Sequence, residues 1–140
     1  LGSRLHRVHD AHLLPAGLIF QEQGVEFVIR SIELMHGGEV FVPKIPSMKI
    51  IDLCQIMGPT CTINNIGIRP GEKLHEWLIT KDEARHAVEF DDFFVIEPEE
   101  PHWVYERWKG GKSMPEGFFY ASDKNDKWLS AEQLKEFAKE

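Results

Sequence analysis

The residues best placed to do chemistry stand in one stretch, Ile66-Gly67-Ile68-Arg69-Pro70-Gly71-Glu72-Lys73-Leu74-His75-Glu76. Pro70 has its φ already fixed and no N–H to lose, and Gly71 takes a sharp turn without a Cβ clash. Thr62 to Ile66 alternates like a short strand. Leu74, Trp77 and Leu78 follow at helical spacing, which predicts a helix from near Glu72. Arg69 is then delivered at a strand end, just before a helix N-terminus. That geometry suits an anion: guanidinium grips phosphate in a fork, and the free N–H groups of a first helical turn add partial positive charge. Glu72 cannot bind phosphate, but its carboxylate can accept hydrogen bonds from sugar hydroxyls beside one. Together the two would read a nucleotide-sugar. The same residues equally describe an Arg–Glu surface pair at a helix start.

Other constellations carry less chemistry. His6, His9 and His12 recur every third residue, and two of them on one helix face could share a zinc ion. With only Asp10 nearby as a carboxylate ligand, a solvated arm explains them better. His75-Glu76 begins like a zincin helix, but Ile79 stands where His-Glu-x-x-His needs its second histidine. Asp91-Asp92 and Glu99-Glu100 read as solvated turns, since adjacent residues on a strand face opposite ways. Lys109 follows Tyr105 by four, in a loop, which makes a poor proton-transfer pair. No glycine-rich dinucleotide fingerprint, Walker loop or Gly-x-Ser-x-Gly occurs. The chain is therefore expected to hold neither a metal nor a cofactor of its own.

The totals narrow the partners. Over 140 residues, 16 Lys and Arg against 23 Asp and Glu leave a net charge of −7. That balance argues against a nucleic-acid backbone or an anionic membrane as partner. Cys54 and Cys61 are too few for a disulfide framework and are spaced unlike a CxxC pair, so they read as reduced thiols of a cytoplasmic protein. No run reaches the length of a membrane span. The chain opens Leu1-Gly2-Ser3 without an initiator Met, which reads as a cut.

The elements that must position Arg69 follow from periodicity. Phe20 to His36 is helical, with Val25, Val28, Ile29, Ile32 and Met35 on one face, and ends at Gly37-Gly38. Glu39 to Val42 is a short strand stopped by Pro43. Ile50, Ile51, Leu53, Cys54 and Met57 make a second helix, ended by Gly58-Pro59. Thr80 to Arg85 predicts a turn of helix. His86–Phe90 and Phe93–Glu97 flank Asp91-Asp92 as a hairpin. Pro98 to Pro115 is loop-like and interleaves Trp103, Tyr105 and Trp108 with Arg107, Lys109 and Lys112. Gly117–Tyr120 is a last strand. Ser130 with Gln133 signs the final helix as a capping box.

Several of these runs, in this order, resemble the C-terminal part of the UDP-N-acetylglucosamine 4,6-dehydratases and related polysaccharide-biosynthesis epimerases, extended short-chain dehydrogenases/reductases. The runs are Glu22-Gln23-Gly24-Val25-Glu26-Phe27-Val28, Gly38 through Ile50, the central Ile66–Glu76, Asp82-Glu83-Ala84-Arg85, and Tyr120–Asn125 with Trp128-Leu129-Ser130. The resemblance runs from about Glu22 to the C-terminus. It implies an α/β (α+β) substrate-binding lobe of small sheets and three to four helices, over residues 21–140, without a Rossmann core, after an unmatched arm at 1–20. It implies that Arg69 meets the diphosphate and Glu72 the uridine ribose of a UDP-sugar, with Ser122 and Asn125 in a turn lining the sugar site. In the full-length family a Rossmann domain holds NADP and a catalytic Tyr-x-x-x-Lys. The glycine fingerprint and that domain's catalytic tyrosine and lysine are missing from this sequence, so no catalytic residue is assigned and the isolated chain is expected to be inactive, with at most weak UDP-sugar affinity. Exposed apolar surface on such a lobe also predicts self-association into a homo-oligomer. The competing expectation is a non-catalytic interaction domain that docks a partner through the loop from Trp103 to Trp108.

Overall fold

Phe93-Phe94-Val95 are all buried, which requires cover on both faces of their strand. The computed structural model describes residues 6–8, 15–17, 19–65, 67, 70–101 and 103–137. Strands β1 (His6–Val8) and β2 (Pro15–Gly17) precede helix α1 (Gln21–Leu34). Then come β3 (Val40–Pro43), β4 (Ser47–Lys49), α2 (Ile50–Met57), β5 (Ile63–Asn65) and β6 (Trp77–Ile79). A 3-10 turn at Glu83–His86 leads into β7 (Ala87–Glu89), β8 (Phe93–Ile96), β9 (Lys112–Ser113), β10 (Tyr120–Ala121) and α3 (Ala131–Phe137). Among the described residues, three helices and small sheets make this an α/β chain, as expected. It divides into two units, one of Leu1–Leu18, Pro46–Glu76 and Ala121–Glu140, the other of Ile19–Ile45 and Trp77–Tyr120.

The second unit is built on an antiparallel sheet ordered β3-β8-β7-β9. The expected hairpin is present: Val88 pairs with Val95, and the Phe90 amide donates to the Phe93 carbonyl across Asp91-Asp92. Period-two alternation sends Phe94 to one face, where it packs with Val42, Ile79, Ala84 and Tyr120. Phe93 faces the other way, into an aromatic cluster with Phe27, Phe41, Phe90 and Trp108. Each fully buried phenylalanine contributes about 1.5–3 kcal/mol. Pro43 is tolerated because β3 is an edge strand. Gly111 is required where β9 approaches β7, since a Cβ there would meet Val88 Cγ1 at 2.1 Å. The expected helical turn begins with a Thr80–Glu83 capping box: the Thr80 amide donates to Glu83 Oε2 at 2.8 Å, and the Glu83 amide donates to Thr80 Oγ1 at 3.3 Å.

Helix α1 runs where periodicity placed it, but its apolar stripe does not enter the core. None of its residues is buried, and Val25, Val28, Ile29 and Ile32 are exposed. The helix is held instead through Phe27, edge-on to Phe93, and through Arg30, paired with Asp92.

In the first unit, β1 pairs with β5 in parallel and β2 with β4 antiparallel. Helix α2 ends at Gly58, whose amide donates to the Cys54 carbonyl. Helix α3 starts with the expected capping box: Ser130 N donates to Gln133 Oε1 at 2.8 Å and Gln133 N to Ser130 Oγ at 3.3 Å. Among the described residues of this unit, Met48, Ala121 and Leu134 are the buried apolar ones.

The helix expected from near Glu72 does not form. Pro70-Gly71 is a turn, with Gly71 at φ 90°, and Trp77–Ile79 is strand β6. The spacing of Leu74, Trp77 and Leu78 was not a helical face. Trp77–Ile79 takes extended geometry, with Ile79 fully in the core and Trp77 half-exposed at the start of the strand. Among the described residues, no helix begins between Pro70 and Ile79.

Candidate functional site

The first unit brings together two turns that lie some fifty residues apart in sequence. One runs from Pro70 to Glu76, the other from Ser122 to Asn125. Ser122 joins them: its amide donates to the Glu76 carbonyl at 2.9 Å, and its hydroxyl accepts from the Glu76 amide at 3.1 Å. One residue further on, His75 Nε2 stands 3.8 Å from Asp123 Oδ2. The contact thus joins the residue before Glu76 to the residue after Ser122.

Ser47 ties the second turn to strand β4. Its hydroxyl donates to the Ser122 carbonyl at 2.8 Å and accepts from Asn125 Nδ2 at 3.0 Å. Its amide donates to the Lys127 carbonyl, and its carbonyl accepts from the Leu129 amide. Ser47 is almost fully buried, so each of these bonds satisfies a group that water does not reach. Asn125 Oδ1 also accepts from the Lys127 amide.

Of the residues the sequence singled out, Arg69 lies outside the described residues. Glu72 is exposed on the first turn. Ser122 is 2% exposed, with its hydroxyl turned to Glu76 rather than outward. Asn125 is half-buried beside it. Two glycines near Arg69 in sequence take positive φ, Gly67 at 75° and Gly71 at 90°. A Cβ at either would be strained, and the Pro70-Gly71 turn depends on glycine at 71.

The sequence reading missed Ser47. A lone serine between Pro46 and Met48 carries no motif, and only burial distinguishes it. In the sequence, His75 reads only as half of a zinc motif. His9 and His12 lie outside the described residues, and His6 begins a strand rather than a helix. Among the described residues no group of three or more His, Cys, Asp or Glu is arranged to hold a metal ion. No described helix is long and apolar enough to cross a membrane.

The second unit holds a different polar cluster. The side chain of Glu39 is fully buried, and it accepts from the amides of His36 and Gly37, from Trp108 Nε1 at 3.1 Å and from the Tyr105 hydroxyl at 3.3 Å. Glu97 accepts from the Trp108 amide and from Arg107. The Trp103–Trp108 loop is thus pinned at Tyr105, Arg107 and Trp108, while Val104 is fully exposed. Burial pushes the Tyr105 phenol well above its ordinary range, and the negative charges of Glu39 and Glu97 push it further. Lys109 pairs with Glu106 instead of approaching that phenol as a proton-transfer partner. The pair is no better suited to proton transfer than its loop position suggested.

Comparison with known proteins agrees with the order of motifs. The model of a family described as polysaccharide biosynthesis protein matches residues 18–98. A UDP-N-acetylglucosamine 4,6-dehydratase (inverting) of Campylobacter jejuni subsp. jejuni serotype O:2 is 41% identical over 122 residues, covering 82% of this chain and 36% of that protein. A UDP-glucose 4-epimerase of Rickettsia massiliae is 30% identical over 118 residues, covering 80% and 34%. The crystal structure of Pen from Bacillus thuringiensis superposes with a TM-score of 0.75 at 28% identity, over 94% of this chain and 39% of that one. The chain spans just over a third of the length of the relatives it matches. By the family model and by its likeness to the dehydratase and the epimerase, the chain belongs to the polysaccharide-biosynthesis family of extended short-chain dehydrogenases/reductases.

Proposed function

We propose that this chain is the nucleotide-sugar-binding part of an NADP-dependent UDP-N-acetylglucosamine 4,6-dehydratase or epimerase that works in the cytoplasm. Arg69 grips the diphosphate through its guanidinium fork, and Glu72 accepts from the ribose hydroxyls. The Ser122–Asn125 turn lines the sugar side, with Ser122 and Asn125 acting through the backbone they hold. The observation that supports this reading is the pair of hydrogen bonds between Glu76 and Ser122, which holds the Pro70–Glu76 turn against the Ser122–Asn125 turn within one unit. The 41% identity to a dehydratase acting on UDP-N-acetylglucosamine supports the choice of ligand. NADP and the proton-transferring tyrosine belong to the part of the family fold that this chain does not span. The chain alone therefore binds without turning over.

The test is binding of UDP and of uridine to the chain and to Arg69→Ala. Loss of a charge-assisted contact costs about 1.5–3 kcal/mol, or roughly tenfold to a hundredfold in UDP affinity, with uridine affected far less. Equal losses for both ligands would show that the arginine does not meet phosphate. Turnover of UDP-N-acetylglucosamine by this chain alone would overturn the division of labour.

One observation favours a second reading, a docking module. Val104 is fully exposed beside the half-exposed Trp103, on a loop whose base is fixed by Glu39 and Glu97. Assembly seen by light scattering, with no response to UDP, would favour it.

A further inference from the structure

We propose that His75 is a positioning residue of the nucleotide-sugar site, whose Nε2–H latches the Pro70–Glu76 turn to Asp123 of the opposite turn. This rests on the reading of the site given above. The two ring nitrogens have unlike surroundings. Nδ1 is buried and has no hydrogen-bond partner, whereas Nε2 faces the Asp123 carboxylate at 3.8 Å. A proton on Nδ1 would bury an unsatisfied donor, so the neutral ring carries it on Nε2, where an acceptor waits. Nδ1 is then a bare lone pair, the less costly of the two arrangements.

At 3.8 Å the contact is longer than a hydrogen bond. A movement of about 1 Å, or one bridging water, completes it. The neighbouring residues are already fixed, because Glu76 and Ser122 exchange two bonds. The latch therefore adds the next residue of the Pro70–Glu76 turn, on its Glu72 side. Every residue of that turn held in advance is one fewer to be ordered when ligand binds. His75 touches no ligand in this account; it acts through the turn.

Three variants of the whole chain test it. Gln places its amide nitrogen near the position of Nε2, Asn places its own near Nδ1, and Asp123→Asn removes the acceptor charge from the other side. UDP affinity is measured by calorimetry, amide exchange of Glu76 by NMR, and folding by thermal melts. His75→Asn and Asp123→Asn are expected to weaken UDP binding about tenfold and to speed exchange at Glu76, with melting temperatures close to the unaltered chain. His75→Gln is expected to bind within about twofold of the unaltered chain. A purely structural role would not be rescued by Gln alone. If His75→Gln is as weak as His75→Asn, or if all three bind normally while Arg69→Ala does not, the latch is overturned and the site reading stands. Absence of UDP binding by the unaltered chain overturns the site reading, and the positioning role with it.

Discussion

Ser122 and Glu76 hold one another by two hydrogen bonds, the Ser122 amide to the Glu76 carbonyl at 2.9 Å and the Glu76 amide to the Ser122 hydroxyl at 3.1 Å. The second bond is unusual for a strand-like register because a side chain supplies the acceptor. Serine at 122 is thereby needed for its oxygen and not only for its small size. The carbonyl of the same residue is used as well, by Ser47. A buried serine pair thus connects β4 to both turns of the proposed site.

Ser122→Ala leaves the Glu76 amide without its acceptor in a partly buried place. The expected cost is about 1–3 kcal/mol. Urea denaturation should show a lower midpoint with an unchanged slope. UDP affinity should fall as well, since the two turns are no longer held in register. A midpoint equal to that of the unaltered chain would mean that water replaces the hydroxyl at no cost.

Glu39 gives a pH dependence with a definite sign. Burial pushes its carboxyl up, but the amides of His36 and Gly37 and the Trp108 indole hold it down by more, so it lies below the usual 4.5. A carboxylate depressed by folding stabilises above its unfolded pKa, and that stability is lost as pH falls through the folded value. The second unit should therefore be steady above about pH 4.5 and weaken below it. Trp108 fluorescence, followed through urea titrations at pH 7 and pH 4, reads this directly. Glu39→Gln should flatten the difference while lowering stability at pH 7, because an amide accepts fewer of those donors.

Helix α1 predicts the opposite kind of result. Ile32 is 64% exposed and Val28 57%, so Ile32→Lys and Val28→Lys should change stability by no more than about 0.5 kcal/mol. Concentration-dependent light scattering should fall in both variants if that stripe drives self-association. A large loss of stability would show that the stripe is covered in the folded chain.

Much of the local structure could be read from the residues alone. The Asp91-Asp92 hairpin, the Ser130–Gln133 cap and the stops at Gly37-Gly38 and Gly58-Pro59 depend on contacts within a few positions. The order of motifs also pointed to the family, because long runs such as Val42-Pro43-Lys44-Ile45-Pro46-Ser47 are specific without any fold. The direction in which each face points was decided by the tertiary structure. Leu74, Trp77 and Leu78 match a helix by spacing, but pulling Ile79 into the core with Phe94 and Tyr120 made the segment a strand. The stripe on α1 matches a core face, yet Phe27 and Arg30 bind the helix down and leave the stripe outside. Ser47, Ser122 and Glu39 are ordinary polar letters in the sequence. Only burial, which sums contributions from distant segments, turns them into the points where the chain is tied together.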